Sequence, residues 1–250
     1  MKIQGYVPAK KAKKKNKNKL FIVFAIVIVF VFVIIVFASF YSQAKQNKIF
    51  DVQSFYYVCA AKSKHSKELE NLQESVKKLG GAAKIHYYGD YYYLIINVYL
   101  DGESANDVAQ KNKQIFENIE VLEIKTKRIS KKSKQSIKNY EYAYKFVKYF
   151  NYSISEISSI VIKYLSGDIS ENAFCSEVLN IKFDYDDLNA EIQKQEESEM
   201  KSIIATQSNM ILLYFSKFFN NFFGSYEKSM IACDFIVNLS LLKIEFFNNL

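Results

Sequence analysis

The amino-acid sequence predicts an α+β protein with a single N-terminal transmembrane helix, a β-α-β-β-α-β module built on a four-stranded antiparallel sheet, and a C-terminal α-helical bundle. Three observations predict this class: an unbroken apolar run near the N-terminus, a stretch in which strand and helix patterns alternate, and a second half with helical periodicity. The predicted boundaries are a basic cytoplasmic tail at 1–19, a transmembrane helix at 20–41, a tether at 42–53, the module at 54–127, a linker at 128–138 and the bundle at 139–250.

The positive charge of the chain is concentrated at its N-terminus. The formal net charge is +8, and residues 1–19 contain eight lysines and no acidic residue. The rest of the chain is therefore formally neutral. A nucleic-acid-binding domain would carry its excess charge on a folded face, so we expect no nucleic acid among the partners. A basic tail beside an apolar run is typical of proteins that meet anionic lipid.

The apolar run extends from Leu20 to Ala38, and no charged residue lies between Lys19 and Lys45. As a helix, a run of this length spans roughly 30 Å of hydrocarbon. Because the lysines precede it, the positive-inside rule predicts a single-pass anchor in the cell membrane, with the N-terminus cytoplasmic and the later domains extracytoplasmic. A cleaved signal peptide is the alternative, since Ser42-Gln43-Ala44 has the small residues of a cleavage site, although the run exceeds the about 7–15 residues usual there.

Residues 54–127 carry the patterns of the module. Aromatic and β-branched runs predict strands, apolar residues at helical spacing predict helices, and glycines mark the ends of elements. The predicted order is a strand at 55–61, a helix at 66–79, strands at 83–88 and 91–100, a helix at 104–119 and a strand at 121–127. Two helices are expected to cover one face of the sheet, which leaves the other face to water or a ligand.

The two-residue period of a strand assigns each side chain to one face of this sheet. The residues predicted to face away from the helices are Tyr57, Cys59, Tyr91, Tyr93, Ile95 and Asn97. Aromatic rings pack on sugars, and tyrosine adds a hydroxyl group for their polar groups, so these tyrosines are candidate glycan contacts. The alternative is a purely structural role, because tyrosine is frequent in strands. RNA-recognition modules share this order, but the predicted extracytoplasmic location argues against RNA.

The order of elements and two local motifs resemble the SPOR domain, a bacterial module that binds peptidoglycan glycan strands stripped of their stem peptides. The first strand of that family commonly reads YVQVGSF, and the segment from Tyr57 to Ala61 takes its place here. The third strand commonly reads GDYYRVRVGPF, and Gly89-Asp90-Tyr91-Tyr92 matches its start, with Tyr93 and Ile95 in place of the arginines. The resemblance covers residues 54–127. It implies a glycan-binding face made of Tyr57, Cys59, Tyr91, Tyr93 and Ile95. The overall layout is similar to that of stage II sporulation protein B and its relatives.

The C-terminal half predicts antiparallel helices with short connections. Gly167 and Gly224 are expected to end helices, and one long helix is predicted from Asp186 through Phe223. The acidic cluster of Asp184, Asp186 and Asp187 is interpreted as the start of that helix. The run at 211–223 is interpreted as bundle core, because its lysine and asparagines make it too polar for a second membrane span.

Three cysteines and two histidines limit the chemistry. Cys175 and Cys233 could form a disulfide bond, and buried free thiols are the simpler interpretation. His65 and His86 have no cysteine or carboxylate at ligand spacing, so we expect no metal site. The sequence shows no catalytic constellation and no cofactor motif. We therefore expect a protein that is not an enzyme.

Two functions follow from these expectations. The preferred one is a membrane-anchored extracytoplasmic protein that binds denuded peptidoglycan glycan strands at sites of cell division or sporulation septum remodelling. The alternative is a structural protein of a membrane-associated complex, whose SPOR-like fold does not bind glycan and whose helical bundle recruits a protein partner.

Overall fold

The part of the chain that the computed structural model describes, residues 49–225 and 227–250, contains a four-stranded sheet and seven helices. The strands are β1 (Ser54–Ser63), β2 (Lys84–Tyr88), β3 (Tyr91–Tyr99) and β4 (Glu120–Lys125). The helices are α1 (Ser66–Lys78), α2 (Gly102–Asn112), α3 (Lys131–Asn139), α4 (Glu141–Ser166), α5 (Glu171–Gln193), α6 (Glu199–Phe222) and α7 (Lys228–Asn249). Together the elements from Ile49 to Leu250 form one compact unit.

The sheet has the spatial order β2-β3-β1-β4, and each neighbouring pair is antiparallel. The predicted β-α-β-β-α-β order is confirmed. Gly89, at φ 62°, turns the chain between β2 and β3 in a conformation that favours glycine. Helices α1 and α2 pack on one face of the sheet and bury apolar side chains against it. These include Val58, Ala60, Leu69, Val76, Leu94, Ala105 and Ala109.

A β-bulge in β3 changes the alternation of its last residues. Cys59 of β1 pairs with Ile95, but Val58 pairs with Asn97, so Ile96 is an extra residue without a direct partner on β1. Such a residue shifts the side-chain alternation beyond it. Val98, which the strict two-residue period assigns to the helix face, therefore lies in the core on the other face. The prediction for Val98 is wrong for this reason.

Helix α2 ends at Asn112, well before the predicted end at Ile119. The side-chain amide of Asn112 donates to the carbonyl of Val108 at 2.8 Å, and the chain then turns. Phe116 and Ile119 still reach the core, with 8% of each side chain exposed, whereas Ile115 is 54% exposed. The apolar spacing identified two of the buried residues correctly but not the backbone conformation that carries them.

The C-terminal half is helical, with different boundaries from those predicted. The segment predicted as a linker folds as α3. The predicted long helix is two helices, because the chain breaks between Gln193 and Glu199, and Ser198 caps the second helix by accepting from the Lys201 amide at 3.1 Å. The acidic cluster consequently lies in the last turns of α5 and not at a helix start. There Asp186 pairs with Lys182 at 2.6 Å.

The predicted fold class is corrected with respect to the membrane span. The observed class is α+β, with a four-stranded antiparallel sheet and seven helices, and none of the helices in the described part is long and apolar enough to cross a membrane. The predicted transmembrane helix at 20–41 lies outside the described residues.

The end of α4 provides a test of backbone conformation without any packing effect. Gly167 ends the helix at φ +81°, and a Cβ atom placed on it would have no other atom within 4 Å. We expect Gly167→Ala to lower the free energy of unfolding by about 1–2 kcal/mol through left-handed backbone strain alone. Gly224→Ala is the matched control, because its Cβ also meets open space and its φ lies outside the left-handed region. Urea denaturation of both variants measures the difference, and equal stabilities would contradict the expectation.

Candidate functional site

Helix α7 covers the sheet face opposite α1 and α2, which is the face predicted to bind glycan. Apolar residues occur on every side of this helix, and a helix of that kind is buried over most of its surface. It lies between the sheet and helices α4 and α6, with most of its side chains buried. The core between α7 and the sheet includes Phe55, Tyr57, Cys59, Ile95, Val98 and Ile124.

The predicted glycan-binding residues share the predicted face of the sheet but are not exposed on it. Tyr57, Cys59 and Ile95 are 0% exposed, and Tyr93 is 9% exposed. Tyr91 is half-buried and packs against the same core. The two-residue period therefore sorted these five side chains to the correct face, while the expectation that they face outward is wrong. Their surroundings are the apolar side chains of the chain's own last helices.

Tyr57 is bound to α7 by a buried hydrogen bond. Its hydroxyl group donates to Ser240 Oγ at 2.9 Å, and Ser240 Oγ donates in turn to the carbonyl of Val237 at 2.8 Å. Burial raises the pKa of Tyr57 above its ordinary value of 10.0, which the bond to Ser240 only partly opposes. The hydroxyl group is therefore neutral, and its polar atom is satisfied inside the protein as burial requires.

Lys243 crosses the same interface, and no carboxylate of the described residues lies within ion-pair distance of it. Its side chain is fully buried, and its Nζ donates to Oε1 of Gln53, just before β1. The rings of Phe55, Phe150 and Phe247 surround the amine, with centroids 5.8–5.9 Å from Nζ. Burial lowers the pKa of Lys243 from 10.5 to about 7, because the apolar surroundings disfavour the charged form.

Further hydrogen bonds join the chain before β1 and after β4 to the helices. The Lys127 amide donates to Asn248 Oδ1 at 3.0 Å, and Ser133 Oγ donates to the carbonyl of Leu250 at 2.5 Å. Asn151 Nδ2 of α4 donates to the carbonyl of Ile49 at 2.6 Å. These contacts and the shared core make the sheet and the helices parts of one structure.

A small part of the predicted face stays near the surface, where β3 begins and β1 ends. There the Lys62 ammonium lies 5.6 Å from the ring centroid of Tyr91 and 3.0 Å from Glu120 Oε2. The second carboxylate oxygen of Glu120 is buried and has no hydrogen-bond partner in the described structure. The ring of Tyr91, the ammonium group of Lys62 and the carboxylate of Glu120 thus lie at this edge. The sequence predicted instead an exposed face with three tyrosines.

The cysteines do not form the disulfide bond considered from the sequence. Cys59, Cys175 and Cys233 are all free and buried. Burial raises the pKa of each thiol, that of Cys233 to about 12. Thiols of this kind are poor nucleophiles, since the thiolate is the reactive form. Within residues 49–225 and 227–250, no three His, Cys, Asp or Glu side chains come together as metal ligands would.

Comparison with known proteins gives no relative. No protein-family model, no curated protein and no solved structure matches this chain. The resemblance to SPOR domains therefore stays a prediction.

Sequence reasoning missed the residues on α7 that meet the sheet, above all Ser240 and Lys243. Their spacing along α7 carries no local signal for a contact with a strand far away in the sequence. One signal was present in the run from Ile231 to Phe247, in which apolar residues occur on every face of the helix and only Asp234, Lys243 and Glu245 are charged. Such a helix needs burial on two sides. One of its neighbours can therefore be a sheet as well as another helix.

Proposed function

We propose that this protein is a non-enzymatic structural component of a membrane-associated complex, in which the sheet module is a rigid base for the helices and does not hold glycan. The observation that carries the proposal is the packing of α7 on the predicted glycan face, with Tyr57, Cys59 and Ile95 at 0% exposure. A glycan strand would have to displace this helix and separate a large apolar core, at a cost of about 25 cal/mol per Å² of apolar surface exposed.

The partner surface of this proposal lies on the helices. Helix α6 presents Ile203, Met210 and Leu213 on one side, and these side chains are 37%, 36% and 44% exposed. Their spacing places them on one stripe of the helix. A cleft between α6 and α7, of about 460 Å³, runs beside this stripe and is lined by Ile203, Met210 and Leu242. Exposed apolar side chains in a groove are typical of surfaces that bind a helix of a partner protein.

The location at the membrane rests on the basic and apolar segments of the N-terminal residues. It is supported by the sequence alone, since residues 1–48 lie outside the described structure. The extracytoplasmic position of the folded unit rests on the same segments. The structural role proposed for residues 49–250 is independent of the side of the membrane on which they lie.

Co-sedimentation with purified cell-wall sacculi tests the proposal. The full-length chain in mild detergent is mixed with intact sacculi and with sacculi stripped of stem peptides by an amidase. We expect the same low pelleting with both, at the level of an unrelated control protein. Pelleting that increases on stripped sacculi and disappears in Tyr91→Ala would overturn the proposal and place glycan at the open edge beside Lys62. Tyr91 suits this test because it is only half-buried and can be removed without opening the core.

A further inference from the structure

A small polar pocket lies where the edge strand β2 meets helices α6 and α7. Its volume is about 260 Å³, and the charged side chains that line it are Lys84, Lys217 and Asp234. This volume is below the about 300–1,000 Å³ usual for drug-sized ligands. The pocket therefore suits a molecule of a few heavy atoms rather than a peptide or a glycan strand.

The Asp234 carboxylate in this pocket has no ion-pair partner. It is half-buried, and no lysine, arginine or histidine nitrogen of the described residues lies within 4.0 Å of it. Burial raises the pKa of Asp234, and the charges of Lys84 and Lys217 oppose this only in part. A partly desolvated carboxylate without a partner gains free energy when a cation reaches it.

The two lysines of the pocket are also without carboxylate partners in the described structure. Lys84 is half-buried on β2, and Lys217 is exposed on α6 with its ammonium 5.7 Å from the ring centroid of Tyr214. Both lie close enough to lower the pKa of Asp234, yet beyond ion-pair distance. The pocket thus gathers one carboxylate and two ammonium groups from three different elements, with no ion pair among them in the described structure.

The remaining lining gives the pocket a rigid apolar floor and two amides. Phe218 and Phe235 are 2% and 3% exposed, and their rings stack with centroids 4.6 Å apart. Asn221 and Asn238 add polar groups beside Asp234. Asn238 is held in place because its Nδ2 donates to the carbonyl of Asp234 at 2.7 Å. A small apolar side chain of a ligand would contact the floor while its charged groups stay at the walls.

We propose that this pocket binds a free α-amino acid with an uncharged side chain. The ammonium group of the ligand pairs with Asp234, and its carboxylate pairs with Lys84 and Lys217. A molecule carrying both charges can pair with all three groups, whereas a simple anion leaves Asp234 unpaired and a simple cation is repelled by the lysines. The assignment is independent of the proposed structural role and stands or falls separately from it.

Isothermal titration calorimetry of the full-length chain in mild detergent tests the assignment. The probes are L-alanine, propionate for the carboxylate alone, ethylamine for the ammonium alone, inorganic phosphate and N-acetylglucosamine. We expect L-alanine to bind with Kd of about 1 mM or tighter, and each other probe to bind at least about tenfold more weakly. Phosphate or N-acetylglucosamine binding more tightly than L-alanine, or no binding of L-alanine, would overturn the assignment.

Three variants locate the binding. Asp234→Asn keeps the size of the side chain and removes its charge, and it should weaken L-alanine binding at least about tenfold, as should Lys84→Met combined with Lys217→Met. Asp187→Asn, which changes an exposed aspartate on α5, is the matched control and should bind as the natural protein does. The melting temperature of Asp234→Asn shows whether it is folded. A folded Asp234→Asn variant with unchanged affinity would refute the site.

Discussion

Replacing Lys243 with methionine is expected to stabilise the folded protein at pH 7 by about 1–4 kcal/mol, by analogy with the gain found when buried ion pairs are exchanged for apolar residues of similar size. The amine is fully buried among three phenylalanine rings, and its pKa is lowered to about 7 from 10.5. At pH 7, about half of the folded molecules therefore lack a proton that the unfolded chain keeps. Methionine fills a similar volume without that cost. The melting temperature should rise by several degrees.

The lowered pKa of Lys243 also predicts how the free energy of unfolding depends on pH. Between pH 7 and 10.5 the unfolded chain binds a proton at Lys243 that the folded chain does not, so stability rises with pH by up to about 1.4 kcal/mol per unit. Above the ordinary thiol pKa of 9.0, the buried Cys59 and Cys233 act in the opposite direction, because their folded pKa values are raised. The window in which the lysine dominates is therefore pH 7 to 9.

Urea denaturation at pH 7, 8 and 9 measures both the stability gained by Lys243→Met and the change of stability with pH. The natural protein should become more stable across this window, and Lys243→Met should be nearly flat. Lys148→Met is the control, since Lys148 is an exposed lysine of α4 and its replacement should alter neither quantity. A loss of stability in Lys243→Met at pH 7 would mean that the Gln53 hydrogen bond and the aromatic contacts outweigh the burial of the amine.

Replacing Tyr57 with alanine is expected to lower the free energy of unfolding by about 3–5 kcal/mol, as truncation of a fully buried aromatic ring does. The side chain is 0% exposed and lies between β1 and α7. Tyr57→Phe removes only the hydroxyl group and should cost about 1 kcal/mol. The cost is small because Ser240 Oγ keeps its hydrogen bond to the carbonyl of Val237. Thermal and urea denaturation measure both variants.

Tyr87→Ala is the matched control for Tyr57→Ala. Tyr87 is 55% exposed on β2, so its removal should cost less than about 1 kcal/mol. Equal, small losses in the two variants would contradict the burial of Tyr57 and restore it as a surface residue. A large loss only at Tyr57 means that any change in wall binding by that variant reports unfolding and not a missing contact.

The local features of the fold were predictable from the sequence because local patterns determine them. The alternation in β1 and in the first half of β3 placed Tyr57, Cys59 and Ile95 on the correct face, and Gly167 marked the end of α4 through its positive φ. The bulge at Ile96 was not predictable, since nothing in the run from Tyr91 to Tyr99 indicates an extra residue. The break between α5 and α6 has the signal of a serine cap at Ser198, which the apolar spacing on both sides obscured.

The candidate site was beyond sequence reasoning for a different reason. Whether a sheet face is free or covered depends on contacts between residues far apart in the chain, and one sequence gives no information about which surfaces meet. Tyr57 and Ser240 are 183 positions apart. The same holds for the pocket at Asp234, whose walls come from β2, α6 and α7. Its residues are ordinary ones individually, and only their convergence distinguishes them.

The position of α7 at the end of the chain has a consequence for how the protein is made. A ribosome completes the sheet module long before it adds the helix that covers it, so the nascent chain carries an uncovered apolar face while its second half is still being translated. The sheet module and α7 therefore fold as one unit, although they lie far apart in the sequence. We expect a chain that stops before Lys228 to expose the sheet face that this helix covers and to aggregate, since the residues from Ile49 to Leu250 form one compact unit.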